Sequence, residues 1–330
     1  MEIKYEINKE RLNEFLENKS TINIFSSVDM AEVFEKSRGF KVFPLIAEEN
    51  GTIYAFAVGI LIDTLKWLPF KFFKRLVLFT SPVYEENEIG REGFKLILNE
   101  LEKITKKYAL YFEIRNNIET NENVKDLLKE YTYLPYQNYL IDLSEGKEEL
   151  FNKLNSFTRN HISKYRKKGA IICDVEECEV PKAIEIIKQL YHSKNIPLIN
   201  DEVFYNAYKL LKPKNQIKFI VMKYNDEIIG TRIGLAYKEV LYDWYAAALS
   251  EYKNFYPNDG LVWYMINWGI ENNYKIFDFG GGALKGEYYG PAKFKEKYRG
   301  KLVEFGRYRY IPNKYIFKLF ESIYNKLKKD

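Results

Sequence analysis

Two cysteines, Cys173 and Cys178, and two histidines, His161 and His192, are all that the 330 residues hold of either type. So few thiols and imidazoles exclude a cysteine-rich zinc site and leave little for a histidine-based centre, so no metal is expected. A disulfide framework is excluded as well, which fits a reducing cytosol. The sequence has no Gly-x-Ser-x-Gly, which with two histidines argues against a serine-hydrolase triad. It has neither a Walker-type phosphate loop nor a Gly-x-Gly-x-x-Gly fingerprint. No charge-free apolar run reaches the roughly 18 residues of a membrane span. The start, Met1-Glu2-Ile3-Lys4-Tyr5, lacks the apolar stretch of a signal peptide. A cytoplasmic protein is expected.

What is present is ordinary for a globular chain, with 46% hydrophobic and 29% charged residues. The length suits two domains better than one core. Aromatic content is high at 17%, with 28 Tyr and 23 Phe, a composition that suits sugar, peptide or membrane-interface contacts but also follows from genome bias. The net charge of +5 favours an anionic partner without demanding one.

Hydrophobic alternation predicts strands at 42–47, 53–62 and 76–79, a helix over 92–107, and a strand at 109–114. The second half repeats that order with strands at 217–223, 228–236 and 240–247, a helix over 261–271 with Asp259 as its N-cap, and a strand at 276–279. The same series at a spacing of half the chain predicts tandem copies of one α/β domain, 1–145 and 146–330. A strand at 140–143 would close the first domain, and helices at 147–168, 181–194 and 202–211 would open the second. One alternating strand is expected from Lys301 to Tyr310. An amphipathic helix over 315–328 and the basic-aromatic stretch Trp67 to Arg75 keep peripheral contact with the inner membrane face open, against plain core packing.

Four features are candidates for chemistry. Ile276-Phe277-Asp278-Phe279 ends a strand on a carboxylate and breaks into Gly280-Gly281-Gly282, where a ligand could approach the backbone. The bland alternative is a sharp turn. Downstream, Phe294-Lys295 and Arg299 belong to a short basic-aromatic helix, and Lys295 could neutralise an oxyanion or phosphate; exposed helix charge is the other reading. On the strand 240–247, strict alternation puts Tyr242, Trp244 and Ala246 on one face and Asp243 and Tyr245 on the other, so that a carboxylate and a phenol would meet an amine together. A buried structural Asp is as common. The segment Thr158 to Gly169 carries Arg159, Arg166 and Lys168 at helical spacing, fit for phosphate or nucleic acid or simply solvated at a helix C-terminus.

Several ordered motifs then make a pattern. Tyr256-Pro257-Asn258, Leu261-Val262-Trp263, Trp268-Gly269, Phe277-Asp278-Phe279-Gly280, Tyr289-Gly290, Phe294-Lys295 and Gly300, with Arg159-Asn160 upstream, resemble the C-terminal half of Fem-type (FemAB-related) aminoacyltransferases. The resemblance implies an α/β (α+β) fold of two tandem GNAT-like domains, acyl-CoA N-acyltransferase-like, each a mixed, mostly antiparallel sheet flanked by helices. It implies transfer of an aminoacyl group from charged tRNA to an amine of a peptidoglycan or other cell-envelope precursor, with no resident cofactor. By the resemblance Lys295 would stabilise the oxyanion or bind precursor phosphate and Asp278 would structure the site; with Asp243 and Tyr245 from the strand reading, these are the catalytic candidates. Substrate contacts would come from Arg159, Arg166, Lys168, Trp244, Gly280, Gly281, Phe294 and Arg299. Pro257-Asn258-Asp259-Gly260 stands where a GNAT pyrophosphate loop would be, so acyl-CoA is the alternative donor and a non-catalytic glycan- or peptide-binding relative the other alternative.

Overall fold

The structure is a computed structural model that describes all residues except 20–21, 64–73, 118, 120–121, 288–289 and 328–330. It divides into two compact units, Met1–Pro135 with Phe305–Asp330, and Tyr136–Glu304. The stretch Trp67 to Phe73, one of the two membrane-contact candidates, lies outside the described residues.

The first unit contains strands β1 (Glu2–Lys4), β2 (Phe40–Glu49), β3 (Thr52–Asp63), β4 (Lys74–Leu78), β5 (Val83–Tyr84), β6 (Tyr111–Arg115) and β7 (Thr132–Leu134), and the late strand β15 (Arg307–Tyr310). The β2–β3 hairpin turns on Asn50 (φ 48) and Gly51 (φ 82), the two positive-φ positions that match strand twist. Sheet order is β1-β2-β3-β4-β6-β15-β7, with β4 and β6 parallel and β5 paired to β3. Helix α1 (Lys9–Glu17) and helix α2 (Val28–Glu35) precede β2, and α3 (Glu88–Tyr108) packs Phe94, Ile97, Leu98, Leu101 and Ile104 onto Leu76, Leu78, Phe112, Ile114 and Tyr308. Burial of this one face drives the layer. A short α4 (Glu122–Leu127) follows β6.

The second unit contains β8 (Gln137–Asp142), α5 (Gly146–Lys153), α6 (Ser156–Lys167), β9 (Ile171–Asp174), α7 (Val180–Ser193), α8 (Glu202–Leu211), β10 (Ile217–Tyr224), β11 (Glu227–Tyr237), β12 (Val240–Ala248), α9 (Pro257–Glu271), β13 (Ile276–Asp278), α10 (Gly290–Glu296) and β14 (Lys301–Glu304). Its order, β9-β10-β11-β12-β13-β8-β14, has the same single parallel step, here β12 beside β13. The expected repeat is therefore present as β2-β3-β4-α3-β6 and β10-β11-β12-α9-β13.

Two boundaries differ from expectation. The strand expected to close the first domain, now β8, pairs with β13 and β14 in the second sheet. The expected single strand 301–310 is two strands in two sheets: β14 pairs with β8, and β15 pairs with β6 and β7. The break falls at Gly306, whose φ of +70 is glycine's region and whose absent Cβ would stand 2.1 Å from the Tyr133 ring. The chain thus divides at 135/136, not 145/146, and its last segment returns to the first unit. That segment ends in α11 (Lys314–Leu327), where Phe317 packs edge-on to Tyr111 while Tyr315 and Leu319 stay exposed. No helix among the described residues is long and apolar enough to cross a membrane.

Candidate active site

In the second unit β12 and β13 run parallel only through Val240↔Ile276, Leu241↔Phe277 and Tyr242↔Asp278. Beyond that last pair β12 continues along β11, while the other chain leaves its strand into the glycine loop. The strands part at two neighbouring acids, Asp243 on β12 and Asp278 on β13.

Asp278 is 2% exposed, and its Oδ1 accepts from Asn138 Nδ2 at 2.5 Å and from the Gly280 N–H at 2.7 Å. Burial raises its pKa, while those hydrogen bonds and the charge on Lys295 act against the rise. Gly280 sits at φ +67, and a Cβ there would meet the Asp243 carbonyl oxygen and the Tyr242 hydroxyl, each at 3.0 Å. The loop thus lies directly on β12. Gly281, the next residue, is exposed.

Lys295, half-buried on α10, closes over this loop. Its Nζ donates to the carbonyls of Phe279 (2.6 Å), Gly280 (3.1 Å) and Gly281 (2.8 Å), three donors for three acceptors. Burial lowers its pKa to about 8, against the pull of Asp243 and Asp278 toward the charged form; Arg232 lowers it further. In this state the ammonium clamps the loop.

Arg232 was not expected. It is buried on β11, and its Nη1 lies 2.6 and 2.5 Å from the two oxygens of Asp243. Its signal in the sequence was a lone cation inside the apolar run Ile228 to Ala236. The pair keeps Asp243 occupied, beside the loop that Lys295 holds.

The expected pairing of Asp243 with Tyr245 is overturned. The β11–β12 register slips between Ile233 and Gly234: Gly234 pairs with Asp243 and Ile233 with Tyr245, leaving Trp244 as the extra residue. A bulge of one residue inverts the alternation beyond it, so Asp243 and Tyr245 face opposite ways. Tyr245 packs edge-on to Phe204 of α8 at 4.8 Å and near Tyr191 of α7, and Trp244 also leans on Phe204.

The remaining candidates scatter. Arg159 donates to the Asn152 carbonyl, Arg166 donates to its neighbour Tyr165 Oη, and Lys168 lies over the Phe255 ring. None of the three touches Lys295, Asp278 or Asp243. Phe294 packs on Tyr298, and Arg299 (φ +58) turns the chain after α10.

A second network surrounds the start of α9. The helix begins at Pro257, so Asp259 is not its N-cap; Tyr256, at φ +53, holds that place. The buried Asp259 carboxylate accepts from Lys297 Nζ at 2.7 Å and Tyr298 Oη at 3.2 Å, and His161 Nδ1 lies 3.6 Å from its other oxygen. The His161 ring stacks on Tyr256 at 3.7 Å. Gly260 faces α6, where a Cβ would come within 2.8 Å of Tyr165. Side chains therefore crowd the first turn of α9, and the buried Asp259 carboxylate with its partners Lys297, Tyr298 and His161 is among them.

Residues 153–296, which include the parting strands, the glycine loop and Lys295, match the family model of the acetyltransferase (GNAT) domain. The chain has the tandem-GNAT fold. It superposes on FemX with a TM-score of 0.72 at 15% identity, over 97% of this chain and 99% of that one. L-PGS from Bacillus licheniformis gives 0.60 at 16% identity, over 97% and 98% of the two chains. A tandem GNAT protein from the clavulanic acid biosynthesis pathway gives 0.56 at 7% identity, over 94% and 99%. At such identities the likeness is one of fold. No curated protein matches the sequence.

Proposed function

We propose that the chain is a Fem-type aminoacyltransferase that moves an aminoacyl group from aminoacyl-tRNA to an amine of a peptidoglycan or other cell-envelope precursor. The observation that carries the choice of donor is the start of α9. A GNAT domain that uses acyl-CoA leaves the N–H groups at that turn open to pyrophosphate. Here Asp259 occupies the turn as a buried anion, and Gly260 is taken up by packing against Tyr165. A diphosphate would meet a carboxylate with its cations, Lys297 above all, already engaged.

Transfer from an aminoacyl ester needs a neutral amine aligned on the ester carbonyl. The C–N bond forms, the tetrahedral oxyanion collapses, the ester C–O bond breaks, and the amine's proton passes to the departing ribose oxygen. Alignment and oxyanion stabilisation can supply most of the rate. In this reading Lys295, the cation that faces the glycine loop, stabilises the oxyanion after giving up one loop carbonyl. Asp278 shapes the loop through Gly280, and Arg232 holds Asp243. Arg159 and Arg166 on α6, and Lys168 at its C-cap, are the candidate contacts for the anionic substrate.

The test is transfer of a radiolabelled amino acid from charged tRNA to a stem-peptide amine, beside a parallel assay with labelled acetyl-CoA. RNase should abolish the first, and the second should stay at background. Acetyl-CoA-supported transfer that survives RNase would establish the acyl-CoA alternative instead, which the GNAT family match favours.

A further inference from the structure

The first unit holds a cluster that the proposed chemistry does not use. Glu113, 2% exposed at the centre of β6, is shared by three arginines. Arg309 reaches its Oε2 at 2.6 Å through Nη2 and at 3.2 Å through Nε, while Arg115 Nε (2.9 Å) and Arg307 Nη1 (3.3 Å) share Oε1. Burial would raise the Glu113 pKa, but the three guanidiniums hold it down to about 2, so it is ionised.

The strand register brings these arginines together. Arg307 stands directly across from Arg115, and Arg309 across from Glu113. Like charges directly opposed on one face of a sheet destabilise it. In the neighbouring strand Arg75 pairs with Tyr111 and Val77 with Glu113, so Arg75 is on the same face. The Nε of Arg75 is buried without a hydrogen-bond partner. Four guanidiniums therefore share a face with Glu113, and that face is opposite the α3 core, where Leu76, Phe112, Ile114 and Tyr308 point. The arginines are preset rather than mobile: Arg115 lies over the Phe79 ring at 5.3 Å and Arg309 over Tyr111 at 4.8 Å. They are also reachable, with 27% (Arg115), 18% (Arg307) and 21% (Arg309) of each side chain exposed. Arg115 spends only its Nε on Glu113, so both terminal nitrogens remain to bind.

We propose that this face is a phosphate-binding subsite in which Arg115 and Arg307 bridge the oxygens of a phosphate or diphosphate group and Arg75 adds charge beside them. Planar guanidiniums preset across a strand pair match the spacing of phosphate oxygens. The subsite does not depend on the acyl-transfer reading, because it lies wholly within the first unit.

Inorganic pyrophosphate, titrated calorimetrically into the full chain at low ionic strength, should bind saturably and more tightly than succinate. Arg115→Gln, which keeps a donor for Glu113 but loses the charge, should weaken pyrophosphate by at least about tenfold. Arg75→Gln, which breaks no ion pair, should weaken it as well and covers the case in which Arg115→Gln fails to fold. Lys209→Gln, on the exposed side of α8 in the other unit, should leave it unchanged. Equal binding by wild type and both variants, loss of binding with Lys209→Gln alone, or tighter binding of succinate would each overturn the proposal. So would loss of thermal stability in Arg115→Gln with no pyrophosphate binding in the wild type, since the cluster would then serve only to hold β15 on β6.

Discussion

Arg232 and Asp243 face each other from adjacent central strands as a buried pair, with 4% and 10% of their side chains exposed. The wild-type pair itself contributes little net stability, because desolvation offsets most of the attraction. Removing one partner is different, since the other charge is left in the core. Arg232→Leu should cost about 3–5 kcal/mol, read from the urea midpoint. Arg232→Leu combined with Asp243→Leu should recover a large share of that loss. A single variant within ~1 kcal/mol of wild type would show that water reaches the pair.

Lys295 makes a pH prediction whose sign is fixed by its lowered pKa. Between the folded value of about 8 and the ordinary 10.5, the unfolded chain binds a proton that the folded chain has released. Stability from this group therefore rises with pH across that window, and below about 8 the cost of burying the charge is present in full. Lys295→Met should flatten that rise, measured as urea midpoints from pH 7 to 10. In the transfer assay the same variant should lose on the order of 10²–10³ in rate, the usual cost of one oxyanion donor. An unchanged rate in folded Lys295→Met would leave the ammonium as a loop clamp and nothing more.

The sequence made the two domains legible because each hairpin carries its own turn chemistry. Asn50-Gly51 and Asn225-Asp226 all sit at positive φ, and the strands beside them are long apolar runs. Lys295, Asp278 and the glycines were legible as neighbours for the same local reason, since they lie at one strand end and the helix after it. What could not be read was non-local. The bulge at Trp244 turns Tyr245 away from Asp243, yet the residues alternate as they would in a regular strand. The return of β15 to the first sheet rests on pairing with β6, almost two hundred residues earlier in the chain, and only Gly306 marks the break. Arg232 was missed because burial of a cation depends on a partner in another strand.

Gly282 tests how closely the loop must lie on β8. Its N–H donates to the Gln137 carbonyl at 2.9 Å, and an added Cβ would stand 2.4 Å from that same oxygen. Backbone cannot swing aside as a side chain can, so Gly282→Ala must lift the loop. Overpacking of this kind costs about 1–3 kcal/mol, and the displaced loop would carry the carbonyls of Gly280 and Gly281 away from Lys295. The expected outcome is a modest drop in melting temperature with a much larger drop in transfer. Full activity in Gly282→Ala would mean that the loop's position does not matter to the chemistry.

His161 reports on the start of α9. Burial lowers its pKa below the ordinary 6.5, with Lys297 and Lys164 acting in the same direction and Asp259 opposing them. A histidine held low binds its proton more readily in the unfolded chain, so this group costs stability as pH falls through 6.5. Because only His161 and His192 are present, His192→Gln leaves a single imidazole for NMR titration. That resonance should titrate below 6.5 in the otherwise native chain. Asp259→Asn should move it lower still, by removing the one charge that favours the imidazolium. The same change keeps a partner for Tyr298 Oη but takes the counter-charge from Lys297, so it should also cost about 1–3 kcal/mol in urea. A midpoint above 6.5 would mean that the pull of Asp259 outweighs burial, whereas an unchanged or upward-moving midpoint in Asp259→Asn would show that the carboxylate does not govern this ring, and the argument that Asp259 fills the donor's phosphate seat would lose its support.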